Sequence, residues 1–257
     1  MLYTASVAGS AALHLLKTER ELKIHSVFNN GVNLVNKTGT LLFIGTDKNG
    51  YFPFGITLDQ YSVKEVVTKS KPHDKITINR QEIRHKNYSI MLNQVEEFRP
   101  DFDFHLADLN QLRENFKHID FSSYQNSDFD DLKMKKLLDG LKNYSPELET
   151  TLRYFVGRGK GLTPTGDDIL SGILYADALD KFIDDRSYSL IERLYNENLT
   201  TMVSKAFILL ALKEIFSSRV TALQRNPSVE TMNALKALGS SSGLDTLYGI
   251  YKTLNQE

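Results

Sequence analysis

Between Gly157 and Asp168 the chain reads Gly-Arg-Gly-Lys-Gly-Leu-Thr-Pro-Thr-Gly-Asp-Asp, and an apolar-periodic stretch from Ile169 to Phe182 follows at once. Glycine lets a backbone turn tightly and approach a ligand closely. A helix start adds free N–H groups and a positive dipole end, which suits phosphate or carboxylate. Gly157, Gly159 and Gly161, with the N–H groups around Gly166, can present such a cradle. Arg158 can grip an anion at two points and Lys160 can add a point charge. Thr163 and Thr165 offer hydroxyls, and Pro164 stiffens the approach. Asp167 and Asp168 fall in the first turn of the expected helix. Acids there can merely complement the dipole, or they can hold a cation such as Mg²⁺ or a water. A dipole partner alone does not call for three glycines and a threonine pair before it, so the run is read as a small-anion site.

A second stretch repeats this grammar: Gly239-Ser240-Ser241-Ser242-Gly243-Leu244-Asp245-Thr246. Its plain reading is a flexible connector between helices, with Asp245 as a dipole partner. Its functional reading requires the two loops to meet, so that Asp167, Asp168 and Asp245 surround one guest beside Ser241, Ser242 and Gly243. Other chemistries find little support. The Gly-Lys-Ser/Thr ending of a phosphate-binding Walker loop is missing. No Gly-x-Ser-x-Gly elbow occurs. The six histidines are scattered, with no pair at metal spacing. Cysteine is absent, which removes disulfides, thiolate nucleophiles and cysteine-bound metals. Asn33, in an expected strand, reads as a turn or structural residue. Thr200, Thr201 and Ser204 read as a helix cap.

The elements that must position these residues fall into two kinds. The first hundred residues are β-rich. Ser26–Phe28 and Val32–Val35 flank Asn29-Asn30-Gly31, a hairpin signal in which Asn-Gly supports positive φ. Strands are also expected at Thr40–Ile44, Phe52–Leu58, Lys75–Asn79 and Ile83–Leu92, with a short helix at Ala8–Leu16. After Pro100, Asp101, Asp103, Asp108 and an Asn/Ser-rich stretch suggest a linker over 101–127 containing a short helix. From Phe129 the apolar period is helical, carried by Leu132, Met134, Leu137, Leu138 and Leu141. Helices are predicted near 146–155, 166–183, 188–199, 201–217, 228–238 and 244–254. The expected fold is α+β, with an antiparallel β-rich region over 1–100 and a helical domain over 128–257 carrying both loops. Segregated strands and helices argue against a Rossmann fold. The 257 residues can bury a substantial core, and 41% hydrophobic with 25% charged residues is ordinary for a globular protein. A net charge of −1 argues against a nucleic-acid partner. No run approaches a membrane span, and no basic, apolar leader opens the chain, so a cytoplasmic location is expected.

The two motifs, in this order and separation, resemble those of the AllH-like family. Its members carry a run close to Gly-x-Gly-x-Gly-Leu-Thr-Pro-Ser-Gly-Asp-Asp and a later Ser-Ser-Gly-x-Asp stretch. Here these are Gly157–Asp168 and Ser241–Leu247. The likeness is firm over the last hundred residues and faint over the β-rich half, where Asn33 and Pro53 stand in family-like contexts. It implies a subunit of oxamate carbamoyltransferase, which converts oxalurate and phosphate to oxamate and carbamoyl phosphate in allantoin catabolism, with companion subunits. Lys160 stands where proline is usual, Thr165 where serine is usual and Ser240 where many members have histidine. Under this resemblance Gly159, Gly161 and the N–H groups near Gly166 would take phosphate. Arg158 and Lys160 would neutralise charge, Asp167 or Asp168 would hold Mg²⁺ or a polarised water, and Asp245 would complete the far wall. The competing expectation is a non-catalytic ligand-binding or assembly subunit.

Overall fold

A computed structural model describes residues 1–79, 81–100 and 108–256. Asp101 and Asp103 of the expected linker lie outside them. The chain divides into two compact units, Met1–Asp101 and Phe102–Glu257. The fold is α+β, a strand-rich unit followed by a mainly helical one.

In the first unit the strands are β1 (Leu2–Thr4), β2 (Val7–Gly9), β3 (Glu21–Phe28), β4 (Gly31–Val35), β5 (Leu41–Gly45), β6 (Gly55–Thr57), β7 (Lys75–Asn79), β8 (Glu82–Arg84), β9 (Ser89–Met91) and β10 (Glu96–Phe98). They form one sheet in the order β1-β9-β8-β7-β3-β4-β5-β6-β2-β10. The sheet is mixed rather than antiparallel throughout: β1 with β9, β10 with β2 and β5 with β6 run parallel. It also curls. Ala5 donates its N–H to Met91 O while the adjacent Ser6 donates to Thr57 O, so two neighbouring residues bridge opposite ends of the strand order. Two helices serve this sheet. Helix α1 (Ser10–Thr18) buries Ala12, Leu15 and Leu16. Helix α2 (Gln60–Lys69), which the sequence reading missed, is capped by Asp59 accepting from Ser62 N–H at 2.9 Å and buries Val63 and Val66. The core holds the inward residues Leu22, Ile24, Val32, Leu34, Ile44, Ile76 and Ile83.

The β3–β4 hairpin forms where expected, but its corner is Asn29-Asn30, neither at positive φ, and Gly31 already pairs with Gly45. The span Ile83–Leu92 is two strands, not one. Asn33 is a buried ladder residue of β4 opposite Phe43.

The second unit contains α3 (Leu109–Asn115), α4 (Asp131–Lys142), α5 (Glu147–Phe155), α6 (Thr165–Leu179), α7 (Asp185–Tyr195), α8 (Met202–Ala211), α9 (Ser218–Arg225), α10 (Val229–Lys236) and α11 (Ser242–Leu254). The predicted helix 201–217 is shorter: α8 ends at Ala211, Glu214 takes φ 59°, and a separate α9 follows. Within 108–127, Leu112, Phe116, Ile119 and Tyr124 are buried in the helical core. Helix α6 is apolar nearly all round, with every residue but Thr165 and Ser171 buried, so it runs through the centre.

Helix α11 lies directly on α6, and glycine makes the approach possible from both sides. A Cβ at Gly172 would sit 2.1 Å from Thr246 O, and one at Gly249 would sit 2.2 Å from Ile169 O. Each helix offers a glycine where the other offers backbone. Gly249→Ala should therefore cost stability although alanine favours helix, by about 2–3 kcal/mol from enforced separation. Chemical denaturation of the full chain measures this; an unchanged midpoint would contradict the crossing.

Candidate functional site

The loop between α5 and α6 is a lasso with a tight neck. Arg158 N–H donates to Phe155 O at 3.0 Å, and Gly166 N–H donates to Arg158 O at 2.9 Å. A Cβ at Gly166 would lie 2.0 Å from Phe155 O, so the returning strand of the lasso passes against the end of α5 without room for a side chain. Gly157 turns the chain at φ 71°, with Leu199 O 2.2 Å from where its Cβ would be. The glycines nearest the neck thus serve closure of the loop, and the Gly166 N–H assigned to a phosphate is already spent.

Asp167 and Asp168 are adjacent in sequence and opposite in circumstance. Asp167 accepts at Oδ1 from Gly157 N–H (3.0 Å) and Tyr195 O–H (2.6 Å), and at Oδ2 from Thr200 O–H. One carboxylate therefore fastens the lasso neck, the end of α7 and the α7–α8 joint. Thr201 adds to this fastening: its hydroxyl donates to Leu162 O while also capping α8 by accepting from Ser204 N–H. Burial beside this carboxylate pushes the Tyr195 hydroxyl pKa well up, so it stays a donor. Outside, Arg153 and Arg193 cross-link Glu149 and Glu197 between α5 and α7.

Asp168 points the other way. It is 9% exposed, and its Oδ2 is buried without a hydrogen-bond partner among the described residues. Burial raises its pKa well above the carboxylate range; the Ser242 and Thr163 hydroxyls pull it down, and the charges of Asp245 and Asp167 raise it further. Asp245, one turn into α11, is 2% exposed and repeats the pattern. Tyr124 donates to its Oδ1, while its Oδ2 is buried and unpartnered. Burial raises the Asp245 pKa, opposed by the hydroxyls of Tyr124, Ser241 and Thr165.

The two loops meet. Thr163 Oγ1 and Ser242 Oγ are 2.8 Å apart, 79 positions distant in sequence. Gly243 has Leu235 O 1.8 Å from the place of a Cβ, which fixes the α10–α11 joint so that Ser241, Ser242 and Asp245 face the Gly-rich loop. Asp168 feels the charges of both Asp167 and Asp245, and of the three only Asp168 and Asp245 retain a buried oxygen without a partner among the described residues.

Other residues depart from expectation. Arg158 does not extend toward the acids: its guanidinium lies 3.8 Å over the Tyr154 ring, its Nε donates to Tyr154 O and Nη1 reaches Asp128. Lys160, Gly159 and Gly161 are exposed on the lasso's outer part. Asp167 accepts three hydrogen bonds, so a Mg²⁺ held by Asp167 and Asp168 would share oxygens that already hold the frame. Among the described residues no three His, Cys, Asp or Glu side chains are grouped to hold a metal. Tyr195 and Tyr124 were missed; the first reads as an apolar core position of α7, the second sits in an Asn/Ser-rich stretch, and no local pattern marks either. Tyr124 stacks on Tyr248 at 3.9 Å and, with Phe121, Tyr251, Arg113 and Lys252, lines a cleft of about 460 Å³.

Residues 155–254 match the family described as oxamate carbamoyltransferase subunit AllH, and residues 4–97 match the AllH family N-terminal domain. No solved structure matches the chain. No helix among the described residues is long and apolar enough to cross a membrane.

The contrast between the adjacent acids is measurable. Asp167→Ala should lose at least ~3 kcal/mol, since it orphans three donors. Asp168→Asn should retain near-full stability. Its raised folded pKa means the native state binds the extra proton, so wild-type stability should fall as pH rises above the ordinary carboxylate range toward the elevated value. Asp168→Asn should flatten that slope; denaturant midpoints from pH 4 to 8 test both, and an identical slope in the variant would refute the assignment.

Proposed function

Because the chain belongs to the AllH family of oxamate carbamoyltransferase subunits, we propose that it contributes a small-substrate site for carbamoyl transfer where α6 and α11 begin. The observation that carries this reading is the Thr163–Ser242 contact, which joins the two motif loops beside the buried acids Asp168 and Asp245. A structural joint would bury apolar residues there; this one collects hydroxyls and carboxyls around an unsatisfied centre.

The proposed division of labour follows the geometry. The anionic end of the guest, a phosphate, carbamoyl phosphate or oxamate-like carboxylate, lies toward the outer lasso, where Gly159 and Gly161 expose backbone and Lys160 supplies positive charge. Thr163, Thr165, Ser241 and Ser242 orient the guest through hydroxyls. Asp168 and Asp245 face the group being transferred. Asp167 and Gly166 hold the frame, and Arg158 braces the loop from outside rather than touching substrate. Catalysis by such a centre is mainly positioning and charge placement. The family name marks its members as subunits, so companion chains complete the enzyme.

A second reading is a ligand-binding or assembly subunit whose companion performs the chemistry. It is favoured by the commitment of Asp167 to the frame.

Transfer activity of the assembled enzyme decides between them. Thr163→Val and Ser242→Ala should each lower kcat about tenfold or more, a little over 1 kcal/mol of transition-state stabilisation, with melting temperature nearly unchanged. Weakened substrate binding with unchanged kcat would support the second reading. No change in either parameter would remove the loops from function.

A further inference from the structure

The cleft lined by Tyr124 has the makings of a second, separate site. Its volume of about 460 Å³ lies in the range of small-molecule sites, about 300–1,000 Å³. None of its lining residues belongs to either Gly-rich loop. One wall is aromatic. The rings of Phe121 and Tyr251 are 4.9 Å apart and 19° from parallel, both partly buried, and Phe116 lies 5.6 Å from Tyr251. Rings gathered in this way give a planar guest a surface to lie against. The charges beside the wall are unequally committed. Lys252 is paired with Asp131 at 3.0 Å and Lys117 with Glu114 at 2.5 Å. Arg113 differs. Its Nε donates to Leu254 O at 2.9 Å, which tethers the guanidinium, while its Nη2 stands 3.8 Å from Asp180, beyond hydrogen-bond reach. A tethered guanidinium with open terminal nitrogens can grip a phosphate at two points.

We infer that this cleft binds a nucleoside phosphate, with the base against Phe121 and Tyr251 and the phosphate on Arg113. A bare inorganic anion would leave the aromatic wall unused, and an uncharged arene would leave Arg113 unanswered. The Gln125 and Asn255 amides, which also line the cleft, donate and accept, and so suit sugar hydroxyls and the polar edge of a base. Every base has a π-face, so the wall selects for a base without strongly selecting which. Tyr124 lines the cleft and also donates to Asp245 Oδ1, so one phenol separates this guest from the acid behind the motif loops. The inference concerns a site apart from the one proposed for carbamoyl transfer, and either can fail without the other.

Calorimetric titration of the full chain with AMP, UMP, adenosine and inorganic phosphate tests this. Both nucleotides should bind, and adenosine and phosphate should each bind about tenfold more weakly than AMP or worse, since each engages only half of the site. Arg113→Gln should bring AMP down to the level of adenosine while leaving adenosine unchanged. Tyr251→Leu should weaken AMP and adenosine alike. Thr163→Val and Ser242→Ala should leave nucleotide binding as it is, because the motif loops do not line the cleft. If Tyr251→Leu does not fold by circular dichroism, the ligand series and Arg113→Gln decide. Absence of nucleotide binding to the wild-type chain would overturn the inference and leave the motif-loop site standing. Binding that survives Arg113→Gln undiminished, or that is lost in Thr163→Val, would overturn it as well by placing the nucleotide elsewhere.

Discussion

The close crossing of α6 and α11 is the constraint on which the rest depends. Two helices can bring their backbones together only where neither carries a side chain, and here Gly172 and Gly249 meet Thr246 and Ile169 carbonyls reciprocally. That contact fixes the spacing and phase of the two helix starts. With the phase fixed, the loops before the two helices touch through Thr163 and Ser242, near the buried Asp168 and Asp245. A larger residue at either glycine would part the helices and with them the acids. The cost of glycine in a helix interior, about 1 kcal/mol against alanine, is thus offset by a contact no other residue permits.

The second organising element is one buried carboxylate used as a fastener. Asp167 gathers a backbone N–H, a tyrosine and a threonine from three separate segments. Charge-assisted hydrogen bonds of this kind are stronger than neutral ones, and their loss leaves buried donors without partners. Its neighbour Asp168 receives no comparable support and is pushed toward its neutral form by burial. Consecutive residues of a helix point about 100° apart, so a first turn embedded in protein can aim one acid into the frame and the next into the centre. Identical residue types then carry unlike protonation and unlike roles.

The strand-rich unit is organised by different means. Its first nine residues are split between opposite ends of the strand order by a switch at Ala5 and Ser6. The parallel pairings that this requires are non-local, and no hairpin signal announces them.

Local chemistry in the sequence was enough for the α+β class, the β3–β4 hairpin, the helices carrying the site and the two Gly-rich loops. Periodicity and turn residues act over a few positions, and those features are set over a few positions. What each conspicuous residue does was decided in three dimensions. Arg158 had the type and spacing of an anion grip, yet an aromatic ring and an acid 30 positions away claim it. Asp167 resembled Asp168 until Tyr195, at the end of α7, and Thr200, in the joint that follows, arrived beside it. Tyr124 lay in a stretch that read as a linker, and its partner Asp245 is 121 positions distant. A hydrogen bond depends on where two groups come to rest, and for groups so far apart along the chain only the packing of α6 against α11 and its neighbours settles that.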